Sequence, residues 1–366
     1  MSLVARVKNY DWILLAAVIV LSALGLMMIY STGLAGAGER TLWIRQLIFL
    51  AIGFAGLGFF AFLDYRFWLR AGKPIYFFSL LLLLLVLFFG QEIRGSVRWF
   101  ALGLVNFQPA EFAKLAAIMV LAIFFHAHAS LAKNFRYIVA SFFYVLIPAM
   151  LVMLEPDLGS ALVICGIWAG LLVVVWVPWR NYLYLFIIFG IVAGLGWQFV
   201  LADYQKDRVA SFLDPTEDPQ GRGYNVIQSM VAVGSGGLYG HGLTRGLQSQ
   251  LRFLPERQTD FIFATTVEEL GLVGGSFVLL LFATVCFRIL RIMRRCPDSF
   301  GRFIAAGIFF LLLIQIAVNV GMNLGLFPVT GITLPFLSYG GSSLVISLWL
   351  IGITESVSRH SVPVRF

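Results

Sequence analysis

The stretch Leu254-Pro-Glu-Arg-Gln-Thr-Asp-Phe-Ile-Phe-Ala-Thr-Thr-Val-Glu-Glu-Leu-Gly271 decides how this chain is read. It joins the longest polar segment of the sequence to a long apolar run. Four acidic residues (Glu256, Asp260, Glu268 and Glu269) fall within it, although charged residues make up only 12% of the chain. Asp260 stands where a helix is expected to begin, at the edge of a hydrocarbon region. A carboxylate at that depth is costly to keep ionised, so it needs a structural or a chemical reason.

Outward from this stretch, apolarity dominates. Hydrophobic residues make up 60% of the 366, and mean hydropathy is +0.92. A soluble fold cannot hide that much apolar surface, so the composition predicts an all-α polytopic membrane protein. Each span needs about 20 mostly apolar residues. Ten such segments are expected, near 11–31, 43–63, 74–90, 110–127, 137–154, 159–178, 181–201, 259–287, 303–325 and 340–358. They form a single domain over 1–366 with both termini on one side and a long loop, 202–258, between the seventh and eighth spans. Arg6 and Lys8 precede the first apolar run, which is longer than a signal-peptide core and reads as a retained helix.

The net charge of +8 does not imply nucleic acid. Cytoplasmic loops of membrane proteins carry excess Lys and Arg, and the cluster Arg288, Arg291, Arg294, Arg295 and Arg302 marks one side as cytoplasmic, together with Lys133 and Arg365. The 202–258 loop is then extracytoplasmic. Trp43, Trp99, Trp176 and Trp179 near span ends suit interfacial anchoring. Cys165 and Cys286 fall in apolar runs and Cys296 in a basic loop, so neither a disulfide framework nor a zinc spacing is present.

Within the long loop, Asp-Pro pairs mark turns and 226–233 has the pattern of a short amphipathic helix. The run Gly234-Ser-Gly-Gly-Leu-Tyr-Gly-His-Gly242 fits neither the dinucleotide fingerprint nor a P-loop. It reads as a tight re-entrant turn or a backbone nest for an anion. Shorter outer loops add Arg94 to Trp99, Phe107 to Lys114, Glu155-Pro-Asp157 and Phe327 to Ser343, all opening toward the face of Asp260.

Two readings of Asp260 are compatible. Either Thr259 or Asp260 caps a helix starting at Phe261, or Asp260 is a general base whose pKa is raised by a dehydrated site. Glu111 and Lys114, three apart, share one helix face as a buried ion pair or as a polar cavity wall that offers Lys114 to an anion. Arg98, Arg208, Arg222, Arg245, Arg252 and Arg257 are either solvated loop charges or forks for an extracytoplasmic pyrophosphate. The few histidines support neither a metal site nor a Ser/His/Asp arrangement.

Motifs in order along the whole chain carry a resemblance. They are Arg98-Trp99, Phe107-Gln-Pro-Ala-Glu-Phe-Ala-Lys114, Glu155-Pro-Asp-Leu-Gly-Ser160, Gly223-Tyr-Asn-Val-Ile-Gln-Ser229, Gln248-Ser-Gln-Leu-Arg-Phe-Leu-Pro-Glu-Arg257 with Thr259-Asp260, and Leu334-Pro-Phe-Leu-Ser-Tyr-Gly-Gly-Ser342. In these the chain resembles the SEDS family (shape, elongation, division and sporulation). Arg257 at the end of Leu-Pro-Glu-Arg resembles the RodA-type elongation members; FtsW-type division members usually carry Ala there. Ala110 and Gln258 depart from the family's usual Ser and His.

The resemblance implies a peptidoglycan glycosyltransferase that polymerises lipid II, with undecaprenyl pyrophosphate as leaving group and Asp260 as general base. It also implies substrate contacts from Lys114, Glu111, Arg98, Arg208, Asp157, Glu256, Arg257, Gln248 and Ser338. A divalent cation (Mg2+ or Mn2+) bridging pyrophosphate oxygens, no organic cofactor, and a class B penicillin-binding protein acting with other elongation-complex proteins complete the expectation. It places the chain in the cytoplasmic (inner) membrane with its active site facing the periplasm or cell exterior. A lipid II flippase or other transporter, an FtsW-type division polymerase, and a purely structural anchor are the alternatives. Transporters show repeated halves with broken helices, and no such repeat is visible in the sequence.

Overall fold

The computed structural model describes residues 10–34, 39–93, 96–103, 105–128, 131, 134–199, 203–221 and 223–360. Arg6, Lys8, Arg94, Lys133, Arg222 and Arg365 lie outside the described residues. Helices occupy all ten expected positions: α1 (Trp12–Gly33), α2 (Leu42–Phe62), α3 (Phe67–Phe89), α4 (Pro109–Ala127), α5 (Phe135–Leu154), α6 (Leu158–Val175) and α7 (Trp179–Phe199), then, after the long loop, α11 (Ile262–Arg295), α12 (Ser299–Asn323) and α13 (Gly341–His360). Among the described residues, nine of these, all but α7, are long and apolar enough to cross a membrane. The chain is an all-α polytopic membrane protein.

Helix starts follow local chemistry. The carboxylates of Asp11, Asp157 and Asp298 accept from the backbone N–H groups of Leu14, Ser160 and Gly301, and Pro109 opens α4 where its missing N–H costs nothing. Two bounds differ from expectation. The third helix begins at Phe67 rather than near 74, and Pro74 sits inside it as its eighth residue. The eighth runs on to Arg295, carrying its arginines past the apolar part.

A small antiparallel sheet was not expected. β1 (Gln91–Ile93), β2 (Ser96–Leu102) and β3 (Val105–Phe107) pair in that order between α3 and α4. In the bundle α4 and α13 are the most enclosed of the spans. α13 packs along α2, while α12 lies against α11, α6 and α4.

The long loop contains α8 (Asp203–Leu213), α9 (Tyr224–Ser235) and the one-turn α10 (Leu247–Gln250). α9 covers the amphipathic segment expected at 226–233. The glycine run is a turn that plugs a break in α11. Gly271 takes φ 70° and ψ −172°, a region open essentially to glycine alone, and interrupts the helix. The carbonyls released at Glu268 and Glu269 accept from His241 N (3.1 Å) and Gly242 N (3.0 Å). The N–H groups of Leu272 and Val273 donate to Gly237 O (2.9 Å) and Leu238 O (3.2 Å). An interrupted helix survives at membrane depth only when its freed backbone groups are paired again, and the turn pairs all four.

Candidate active site

Asp260 closes a tight turn at the loop-side end of α11. Its N–H donates to Glu256 O (3.1 Å), which also accepts from Thr259 and Phe261. Glu256 bears that load at φ 50°, and its side chain accepts from Thr259 Oγ1 (3.0 Å). The capping expectation is corrected here. The N-cap of α11 is Phe261, with no side-chain bond of its own, and neither Thr259 nor Asp260 caps the helix. Asn323 Oδ1 accepts from Ala264 N instead (2.9 Å), so a neighbouring helix supplies the cap.

The Asp260 carbonyl accepts from Asn319 Nδ2 and Asn323 Nδ2, both at 3.0 Å. Opposite its carboxylate stands Gly331: a Cβ built there would lie 3.7 Å from Asp260 Oδ2. Ser338 Oγ donates to Thr259 O (2.7 Å) and accepts from Leu334 N, while Tyr339 N donates to Gln258 O (2.8 Å). The 324–340 loop is therefore laid along both sides of the Asp260 turn.

Arg257 is buried. It pairs with Glu39, which also accepts from Gln258 Nε2 (2.9 Å), so the segment after α1 clamps the two residues that precede Thr259 and Asp260. Partial desolvation lowers the Arg257 pKa, against the pull of Glu39.

A second cluster lies across the 330–332 loop. Asp157 caps α6, accepts from Gln108 Nε2 (3.1 Å) and stands 3.9 Å from Arg98. Arg98 further donates to the carbonyls of Glu155 and Pro156, so its fork is anchored on protein. Neither carboxyl oxygen of the buried Glu155 has a hydrogen-bond partner. Burial, then the charge of Asp157, pushes that carboxyl up to about 9 against the opposing pull of Arg98. The two clusters meet at Gly159, where a Cβ would come within 2.7 Å of Thr330 O. Gln108 completes the frame, its N–H donating to Ser342 Oγ (3.0 Å) at the start of α13.

Other expected residues are placed differently. Lys114 and Glu111 form a fully buried ion pair of 2.7 Å on α4, so the paired reading describes their contact. Gln248 directs its backbone N–H, not its side chain, at Glu268 (2.6 Å), and Ser249 N shares that carboxylate. Glu269 accepts from Ser31 Oγ and Gln250 Nε2. Both acids fasten loop to helix. Arg208 is half-buried on α8. Asn319, Asn323, Glu39 and Gln108 were not singled out as site residues in the sequence. The available signal was a pair of amides four apart, on one face of an apolar helix.

Among the described residues, no three His, Cys, Asp or Glu side chains gather to hold a metal ion. A divalent ion here would take most of its ligands from substrate oxygens and water. An apolar groove of about 290 Å3 opens beside this frame, between Phe49, Phe78, Phe107, Phe112, Ser342 and Trp349.

Comparison with known proteins places this arrangement. The model of the FtsW/RodA/SpoVE family, described as cell cycle proteins, matches residues 11–362. The chain belongs to that family. Stage V sporulation protein E of Bacillus subtilis is 39% identical over 359 residues, covering 96% of this chain and 97% of the relative. The peptidoglycan glycosyltransferase MrdB of Escherichia coli K12 is 39% identical over 286 residues, covering 78% and 77%. A chain from a solved peptidoglycan synthase complex, in which polymerization and crosslinking are coordinated, superposes with a TM-score of 0.82 at 35% identity, covering 97% and 99%. The rod shape-determining protein RodA of Thermus thermophilus gives 0.71 at 30%, covering 96% and 97%. In this member of the FtsW/RodA/SpoVE family, the Phe107 to Lys114, Glu155 to Ser160, Thr259-Asp260 and Leu334 to Ser342 segments meet in one frame.

Proposed function

We propose that this chain is a peptidoglycan glycosyltransferase that polymerises lipid II on the outer face of the cytoplasmic membrane, with Asp260 as general base. Asp260 removes the proton from the acceptor's C4 hydroxyl. That oxygen attacks C1 of the donor, the C1–O bond to pyrophosphate breaks, and the product is a β-1,4 link with inversion. Because undecaprenyl pyrophosphate departs without a proton, one base suffices, unlike the two carboxylates of glycosidases.

The observation that carries this reading is the Asp260 turn. Its backbone is pinned on both sides, while its carboxylate faces a glycine where a Cβ would still stand 3.7 Å away. The apolar groove beside Ser342 and Phe107 suits a polyprenyl tail whose head reaches the same frame. Leaving-group charge calls for cations. Lys114 and Arg98, held by their protein partners, and Arg208 on α8 would contribute positive potential toward that charge. A divalent ion, held mostly by substrate oxygens and water, would add positive charge at the departing pyrophosphate.

Stage V sporulation protein E and MrdB are each 39% identical to this chain, so identity does not choose a subgroup. We assign the elongation role on Arg257 and its clamp to Glu39. A transpeptidase partner of the class B penicillin-binding type and further elongation-complex proteins follow from the same assignment. The break at Gly271 is the feature that favours a flippase. Its plugging by the glycine turn, which pairs all four freed backbone groups, favours the polymerase.

The test is polymerisation and translocation of lipid II by the purified chain with its partner, wild type against Asp260→Ala. Glycan strands from wild type only are expected. Strands from the variant remove the base assignment, and translocation without strands removes the polymerase.

A further inference from the structure

Asn319 and Asn323 sit one helical turn apart on α12, both fully buried among apolar neighbours. A buried amide is costly unless its donors and acceptor are used. Here the two amides divide the work. Asn323 Nδ2 donates to Asp260 O (3.0 Å) and Asn319 O (2.8 Å), while its Oδ1 takes Ala264 N, so it closes the start of α11. Asn319 Nδ2 donates to Asp260 O (3.0 Å) and to Ile332 O (2.7 Å). An amide NH2 has two protons, and these two carbonyls take one each.

The second contact is the informative one. Ile332 follows Gly331, and Gly331 is the residue that faces the Asp260 carboxylate. A single side chain therefore holds the backbone that carries the carboxylate and also the loop across from it. With φ at 74°, Gly331 also keeps that side of the gap free of a Cβ.

We infer that Asn319 is a positioning residue for the transfer reaction. By bridging the Asp260 and Ile332 carbonyls it sets the width of the gap into which the acceptor hydroxyl must enter. The inference rests on the reading of Asp260 as the base. Proton abstraction requires a heavy-atom approach of about 2.6–3.2 Å, and a misplacement of about 1 Å costs on the order of 100-fold. Asn319 touches no reacting atom, so its loss reduces turnover without altering how lipid II is held elsewhere.

The experiment is steady-state polymerisation of lipid II by the full chain with its transpeptidase partner. It compares wild type, Asn319→Ala, Asn319→Ser, Asn323→Ala and Asp260→Ala, with activity expressed per folded molecule from thermal unfolding in the same detergent. Asn319→Ala is expected to lower kcat by about 10- to 100-fold with KM within about two-fold of wild type. The serine variant, which keeps one donor and stays closer in shape, is expected to recover part of kcat and stands in if alanine does not fold. Asn323→Ala is expected to reduce thermal stability more and kcat less. Wild-type kcat in both Asn319 variants, alongside an inactive Asp260→Ala, overturns the positioning role alone. An active Asp260→Ala overturns the base assignment and this inference with it.

Discussion

Two buried polar clusters sit at opposite ends of the helix bundle, and they are built on different plans. Away from the loop face, Arg288 grips Asp11 through both Nε (2.8 Å to each oxygen) and its terminal nitrogen (2.6 Å). Asp11 N donates to Glu355, and Arg359 donates to Ala61 O while lying over the rings of Tyr10 and Phe62. There the charges hold one another and tie α1, α11 and α13 together. At the loop face charge pairs such as Arg257–Glu39 and Arg98–Asp157 occur too, but immediately around Asp260 the polar groups hold backbone. Asn319, Asn323, Ser338 and the Glu256 carbonyl fix the main chain at residues 259–261, and the Asp260 carboxylate faces Gly331. The first plan joins charged side chains to one another across helices, and the second fixes the backbone beneath the Asp260 carboxylate, as the proposed base requires.

The largest stability effect expected from this contrast is at the charge-holding end. Arg288→Ala leaves Asp11 buried without its partner and is expected to cost about 3–5 kcal/mol, read as thermal unfolding in detergent. Activity per folded molecule stays near wild type if the cluster is structural. A large loss of specific activity at unchanged stability would instead place that cluster in the function.

Gly271→Ala probes the join between loop and helix. Its Cβ would meet Leu238 O and Gly240 N at 2.4 Å, and both are backbone atoms of the plug. With the strain of that backbone region added, a loss of at least about 2 kcal/mol is expected. Proteolytic nicking of the 236–242 turn in the variant would show that the plug has come away. An unaltered melting temperature would mean the break carries little of the fold.

A third effect depends on pH. The Glu155 carboxyl is pushed up to about 9 from 4.5 by burial first and Asp157 second. A carboxyl whose folded pKa is raised contributes its full stability below about 4.5, and that contribution is lost as pH rises toward 9. Glu155→Gln removes the titration, so its melting temperature should fall less between about pH 5 and 9 than that of wild type. Parallel curves would show that Glu155 is ionised in the fold.

Much of this was legible in the sequence. Runs of about 20 apolar residues must become spans, so all ten helices were located. Glu256, Arg257, Asp260 and Ser338 do come together. The three-residue strands β1 and β3 were missed because they are too short to show alternation. Asn319 and Asn323 were missed for a different reason: uncharged amides in an apolar run leave hydropathy almost unchanged, although their burial makes them expensive. The Asp11, Arg288 and Glu355 cluster joins residues up to 344 apart in sequence, and no local pattern reports such a contact. The helix cap was assigned to the wrong residue because an N-cap is usually local, and here Asn323 reaches in from another helix.

The most direct test of the contrast is Asp260→Asn, which removes the charge and keeps the shape. Lipid II polymerisation and thermal unfolding would be measured on the same preparation. The account predicts a wild-type melting temperature with polymerisation lost. Retained polymerisation, or a collapse in stability that accounts for the lost activity, would contradict it.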